Sequence, residues 1–377
     1  MRVADCHSCQ AEQQVDRWSL SNVRPDTLVA PTPALEDSFC PGQYRVVRVQ
    51  SEGPCTPESA SIVRYAHANE ENPVKAIVRH EYGPPDVLEL RDVDKPVAED
   101  DEVLVRVHAA GVNMADVDYL LGRPGVARLI TGVRRPRNRG LGLDVAGRIE
   151  GVGSTVARFR PGDEVFGDLT EYGFGGFGEY VCAREGAFAA KPATLDFEEA
   201  ATVPQAGIMA LQGLRGRRSI QPGHKVLING AGGNVGPFAV QIAKSFGAEV
   251  TGVDHTEKLG MLRSIGADHV IDYTTEDVLE GGQRFDWVLD VAAFHSIFEW
   301  KRVLRPRGVY VAVPNSIGGM LQAGLIGPLV SIAGGPKMGI QAGQPFARDD
   351  VDDLTELIEA GKVTPVIDRR YSLDAVS

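Results

Sequence analysis

The sequence predicts an α/β protein in which a partly open antiparallel β-barrel precedes a doubly wound parallel sheet. Three observations lead there. From Val74 onward, short apolar or alternating runs are broken by Gly and Pro, with scarcely a helix before Phe197. Beyond Pro204 the pattern switches to strand, helix, strand, helix, the order that builds a parallel sheet. At the first strand-to-helix junction of that second region lies Gly230-Ala-Gly-Gly-Asn-Val-Gly236. A chain of 377 residues is long enough for two domains, and its 43 glycines exceed the usual ~7% and call for many turns and close approaches.

Residues 1–73 read as an irregular extension, because Pro25, Pro31, Pro33, Pro41, Pro54, Pro57 and Pro73 forbid a long helix. Cys6 and Cys9 have the gap of a zinc knuckle, but Cys40 and Cys55 do not supply the second close pair that a structural site needs. With only Cys182 in the body of the chain, no disulfide framework is expected, which points to a reducing compartment. No basic start followed by an apolar run marks an export signal, so a cytoplasmic location is expected. Residues 74–200 hold the barrel. Val74 to Arg79, Val87 to Val93 and Glu102 to His108 are its first strands, and further strands start near Gly140, Arg160 and Gly175.

Residues 201–340 hold the parallel sheet. Lys225 to Asn229 is a buried strand, and Phe238, Ala239, Ile242, Ala243 and Phe246 share one face of a helix over 235–246. Strands follow at Glu249 to Asp254, His269 to Asp272, Trp287 to Asp290 and Val309 to Val313, with a helix over 258–265. In the register Ala231-x-Gly233-x-x-Gly236 the loop is a dinucleotide fingerprint with alanine for its first glycine. Small residues let the backbone approach a pyrophosphate, whose charge then sits at a positive helix N-terminus. Ala231, Gly232, Gly233, Asn234, Val235 and Gly236 are therefore candidate cofactor residues. Asp254 ends the next strand close to the ~20-residue spacing expected of a ribose-binding carboxylate. Its charge favours NADH over NADPH, against which His255 and Lys258 could meet a phosphate. The uncharged stretch over 315–336 is too rich in Gly and Pro for a membrane span. A net charge of −12 excludes nucleic acid and anionic membrane as default partners.

Ala109-Ala-Gly-Val-Asn113, Pro161-Gly-Asp-Glu-Val-Phe-Gly, Gly178-Glu-Tyr-Val, Ala200-Ala-Thr-Val-Pro204 and the glycine loop occur in one order. In that order they resemble the zinc-independent quinone oxidoreductase branch of the medium-chain dehydrogenase/reductase superfamily, from Val74 to the C-terminus. The resemblance implies a GroES-like catalytic domain around an inserted Rossmann domain, with residues 341–377 returning to the catalytic domain. It also implies NAD(P)H-dependent reduction of a quinone or conjugated enone, and a homodimer. Zinc-dependent relatives carry Cys and His where this chain has Asn113 and Gly142-Leu143-Asp144, so a zinc is not expected. The rival readings are a non-catalytic nucleotide-binding protein of the same fold and a zinc-type alcohol dehydrogenase.

For polarising the acceptor oxygen, the candidates are Asn113, Asp116 and Tyr119, spaced so that a helical turn puts them toward one side. The resemblance places Asn113 and Tyr119 beside the nicotinamide; alternatively Asn113 caps the helix and Asp116 serves its first turn. The resemblance places the crossover segment with Thr202, Pro204 and Gly207 near the nicotinamide. Val313 and Pro314 end a strand where a backbone group could receive the carboxamide or where the strand simply terminates; Thr202 and Val313 complete the cofactor candidates. Arg134 to Arg139 reads as a solvated loop. Two further expectations come from the resemblance: translation begins at Val74, making residues 1–73 non-native, and the chain stops short of a final helix and strand, leaving a sheet edge uncovered.

Overall fold

The computed structural model describes residues 45–49, 73–215, 219–313, 336–340 and 345–376. The Cys6, Cys9, Cys40 and Cys55 positions, Pro314 and nearly all of the 315–336 stretch lie outside the described residues.

The barrel region comprises β1 (Arg45–Arg48), β2 (Pro73–Arg79), β3 (Leu88–Asp94), β4 (Glu102–Val112), β5 (Asp144–Val152), β6 (Glu164–Asp168), β7 (Tyr180–Arg184) and β8 (Phe188–Ala190). Helix α1 (Met114–Leu121) leaves directly from the end of β4. Strands β4, β5, β6 and β8 pair in that order, β7 joins β4 from the other side, and β2 and β3 form a separate hairpin. Val103, Val105 and Val107 alternate into the interior against Val145, Ile149, Val165 and Phe188, the period-2 pattern that the sequence displays.

Strand β1 corrects the expectation of an irregular extension. It lies antiparallel to β4 and parallel to a strand from the chain's far end, so part of the 1–73 stretch is a central member of the barrel sheet. The reason is burial on both faces: Val46 enters the core shared with the second domain, Val47 enters the barrel core, and both are fully buried. Beside it, Arg48 and Arg370 grip the two oxygens of Glu198 at 2.7 and 2.6 Å, and the Glu198 side chain is only 10% exposed.

Helix α2 (Pro204–Leu214), opened by a proline, carries the chain into the second domain. There β9 (Lys225–Asn229), α3 (Val235–Ser245), β10 (Glu249–Asp254), β11 (His269–Asp272), β12 (Phe285–Asp290), α4 (Ile297–Val303), β13 (Leu304–Ala312) and β14 (Lys337–Ile340) alternate. The sheet order is β11-β10-β9-β12-β13-β14, parallel throughout, which is the Rossmann order with its reversal between β9 and β12. Ligands bind outside the carboxyl ends of strands at such a reversal. Helix α5 (Arg348–Glu359) packs on α2, where a Cβ on Gly207 would stand 2.6 Å from Leu354. Gly207 is thus a packing residue of a close helix pair. Finally β15 (Arg369–Ser372) returns to the barrel sheet beside β1.

Candidate active site

Strand β9 ends at Asn229, and Gly230 turns the chain with φ 78°, a conformation open to glycine. The Gly230 and Ala231 N–H groups both donate to Val253 O at 3.0 Å, fastening the loop to β10. Ala231 is fully buried, and a Cβ on Gly252 would reach its methyl at 3.2 Å, so alanine packs beneath the loop where the fingerprint usually has glycine. The third glycine has a different task. A Cβ on Gly236 would lie 2.1 Å from Ala231 O, so only glycine lets α3 start this close to the loop. The first N–H groups of α3 lack intrahelical partners and carry the positive end of its dipole. The bare loop and that N-terminus fit a dinucleotide pyrophosphate. Gly236→Ala is expected to weaken NADH binding by at least about tenfold, or ~1.4 kcal/mol, in a fluorescence titration.

Asp254 and Lys258 meet at Gly232. Asp254 Oδ2 accepts from the Gly232 N–H at 2.7 Å and its Oδ1 from the His255 N–H at 2.8 Å, while buried Lys258 donates Nζ to Gly232 O at 3.3 Å. A Cβ at Gly232 would lie 2.7 Å from the Lys258 chain and 3.0 Å from the Asp254 carboxyl carbon, so no side chain fits there. This end of the loop is therefore bracketed by one acidic and one basic side chain.

On the barrel side, Asn113 stands at the N-cap of α1 and is 3% exposed. With Asp116 it forms the capping box of the helix, and its side chain also reaches outward: Nδ2 donates to Asp144 Oδ2 at 3.0 Å, and Oδ1 accepts from Asn234 Nδ2 at 3.1 Å. Asn234 Nδ2 also reaches Val112 O at 3.3 Å. The glycine loop and the end of β4 are thus joined through two amides. Asp116 serves the turn, accepting from the Asn113 N–H at 2.8 Å and the Gly142 N–H at 3.2 Å. Burial lifts its carboxyl to about 7. Tyr119 is half-buried, its ring 4.6 Å from Phe174, a residue in the left-handed region at φ 66°. Burial and then the nearby Asp168 raise its phenol above the ordinary range.

Other candidates are placed differently. Thr202 is fully buried and its hydroxyl donates to Glu199 O at 2.7 Å, so that group is committed to its own turn. Val313 is buried at the end of β13, its N–H on Asp290 O at 2.9 Å. Arg134, Arg135, Arg137 and Arg139 are exposed.

Three buried acids are absent from the sequence-based candidates. Asp144 receives the Asn113 amide and the Gln205 N–H on one oxygen, and Asp168 stands opposite it across β5 and β6. Asp290, at the end of β12, is fully buried and receives four donors: Asn229 Nδ2, the Ala293 N–H, Trp300 Nε1 and the Tyr310 hydroxyl, all within 2.7–2.9 Å. An acid beginning or ending an apolar strand, as in Gly-Leu-Asp144 or Val-Leu-Asp290, is the signal that could have flagged them. Among the described residues no group of three His, Cys, Asp or Glu is arranged to hold a metal ion. No helix among them is long and apolar enough to cross a membrane.

Two family models match the chain: the alcohol dehydrogenase GroES-like domain over residues 99–193 and zinc-binding dehydrogenase over 265–377. The chain is 33% identical over 317 residues to a 2-methylene-furan-3-one reductase of Solanum lycopersicum, covering 77% of each chain. It is 33% identical to a chloroplastic NADPH-dependent alkenal/one oxidoreductase of Arabidopsis thaliana, over 82% of this chain and 76% of the relative. The solved quinone oxidoreductase from Coxiella burnetii superposes with a TM-score of 0.70 at 29% identity, over 81% of this chain and 93% of that one.

Proposed function

Because the chain belongs to the quinone oxidoreductase branch of the medium-chain dehydrogenase/reductase superfamily, we propose that it reduces quinones or α,β-unsaturated carbonyls with NAD(P)H. The observation that carries this reading is the Asn234–Asn113 hydrogen bond, which brings the dinucleotide loop against the buried polar end of β4. When bound, the reduced nicotinamide supplies a hydride. The loop over 231–236 and the N-terminus of α3 hold the pyrophosphate, and the Asp254 carboxylate meets the ribose. Asn113 and Tyr119 polarise the acceptor oxygen, and Asp116 keeps the turn that presents them.

Zinc takes no part in this reading. Its ligands in zinc-dependent relatives would fall at Asn113 and Leu143, an amide held by Asp144 and a fully buried hydrocarbon side chain. An acceptor that is already electrophilic asks only for orientation and a hydrogen bond. Chelator-resistant oxidation of NADH by 1,4-benzoquinone, followed by absorbance, tests the proposal. Cofactor binding without turnover across a panel of quinones and enones would instead identify a nucleotide-binding protein. Stoichiometric zinc with chelator-sensitive alcohol oxidation would identify an alcohol dehydrogenase.

NADH is the preferred cofactor in this reading, since a 2′-phosphate would approach Asp254 as like charge at a cost of ~1–4 kcal/mol. Asp254→Asn is expected to raise kcat/KM for NADPH by at least about fivefold relative to NADH, with Lys258 left to receive the phosphate. An unchanged ratio would show that Asp254 serves only the Gly232 and His255 turns. The reading also carries a cytoplasmic homodimer, to be checked by sedimentation.

A further inference from the structure

Behind Asn113 lies a cluster of acids that form no ion pair. Asp144 and Asp168 are direct cross-strand partners in β5 and β6, at 0% and 4% exposure. Opposed positions in an antiparallel pair bring Cβ atoms to ~4.5–5.5 Å, within reach of carboxyl on carboxyl. Among the described residues neither acid, nor Asp116 beside them, has a cation at ion-pair distance.

The hydrogen bonds divide the four oxygens unevenly. Asp144 Oδ2 accepts from Asn113 Nδ2 and from the Gln205 N–H, and Asp168 Oδ1 accepts from the Thr170 N–H and hydroxyl. Asp144 Oδ1 is buried with no partner at all. A carboxylate oxygen stripped of water and given no donor is costly to ionise, and a second carboxylate opposite makes it more so. A proton on that oxygen removes both costs, because an acid O–H can donate to the facing carboxylate.

We propose that Asp144 and Asp168 share one proton across β5 and β6, and that this acid pair is the positioning element that fixes the Asn113 amide in the active site. Burial raises both carboxyls above the ordinary range, helped at Asp144 by the charge of Asp168 and at Asp168 by that of Glu171. The other titratable groups facing the pair are Asp116 and Tyr119 from α1, and Glu171 and Tyr172 beyond β6. Arg79 of β2 is the nearby cation; it donates Nη1 to Tyr119 O and feels the charge of Asp116. With the proton in place, Asp144 Oδ2 is a single, well-defined acceptor for Asn113. When the proton leaves, two like charges oppose one another across the strands and the amide loses that fixed acceptor. Activity therefore falls as pH rises through the titration of the pair, the direction set by a folded-state pKa that is raised.

The kinetic arm of the test rests on the reductase reading; the spectroscopic arm does not. In the unaltered protein near neutral pH, the infrared spectrum is expected to show a protonated, buried carboxyl C=O band that shifts in D2O. Asp168→Asn replaces the shared proton by an amide N–H aimed at Asp144, and should abolish the band of the pair while the protein stays folded. In the kinetic arm, kcat of the unaltered enzyme should fall at least about tenfold along an alkaline limb. In Asp168→Asn that limb should shrink to about twofold or less, whatever the level of activity, whereas Asp116→Asn keeps it. A missing band in the unaltered protein would overturn the proposal. So would a band persisting at full intensity in Asp168→Asn, or an alkaline limb that this variant leaves in place. If no turnover is found with any acceptor, the reductase reading fails and the infrared band still decides the proton.

Discussion

A chain started at Val74 is expected to melt on the order of 10 °C below the full-length chain, because it lacks β1. Val46 and Val47 are fully buried on opposite faces of the strand, and each contributes roughly 1.5–3 kcal/mol by leaving water. Their loss also strips β4 of a partner along 109–112 and leaves β15 without the strand it pairs with. Against a total stability of ~5–15 kcal/mol, a deficit of this size reaches into the margin that keeps the protein folded. The substitution pair Val46→Asp and Val47→Asp in the full-length chain separates the strand from the rest of residues 1–73. Both the shortened and the doubly substituted chains should show the drop in differential scanning calorimetry. A shortened chain as stable as the full one would show that β1 contributes nothing and that residues 74–377 close the sheet unaided.

Asp290→Ala should cost ~3–5 kcal/mol and weaken dinucleotide binding as well. Removing the carboxylate leaves Trp300 Nε1, the Tyr310 hydroxyl, Asn229 Nδ2 and the Ala293 N–H facing a void, each a buried donor costing ~1–3 kcal/mol if unpaired. The damage is not confined to stability, since Asn229 is the last residue of β9 and the glycine loop begins at the next position. Asp290→Asn keeps one acceptor oxygen and should recover about half of the loss. Trp300→Phe, which removes one donor and leaves the acid with three, should cost only ~1 kcal/mol. Urea denaturation of the three variants, paired with NADH titration, gives the ranking. Equal losses for Asp290→Ala and Trp300→Phe would show that the acid is not the centre of the network.

Three strands of the Rossmann half are legible in the sequence to the residue, whereas β12 and β13 start two and five residues before their apolar runs and β14 was not legible. Lys225–Asn229, Glu249–Asp254 and His269–Asp272 are strands with the bounds that the apolar runs indicate, because a parallel strand covered on both faces is written as a continuous apolar run. The helix over 258–265 is less regular, a 3₁₀ turn at Thr256–Lys258 followed by Leu259–Ser264. Strand β1 was not legible: Val46 and Val47 stand between arginines in a proline-strewn stretch, and the partners that make them a strand come from β4 and β15. In the candidate site, residue identity was more legible than direction. Asn113 has the type and position of a cap, yet its amide also turns to Asp144 and Asn234, and the Thr202 hydroxyl turns inward to its own turn. The Asp144–Asp168 opposition depends on strand register, which no local pattern specifies.

The position of β1 also orders the folding of the chain. Strands β9 to β14 come from one continuous stretch and can assemble as soon as it is synthesised. The barrel sheet cannot be completed then, for β1 emerges first and its partner β15 emerges last. Strand β1 can pair with β4 as soon as residues 109–112 have emerged, but at roughly 5–20 residues per second its other edge stays open until β15 is synthesised. The nascent protein thus carries an unsatisfied strand edge for most of its synthesis, and this is the interval in which chaperones would be needed and strand-mediated association between neighbouring chains would begin.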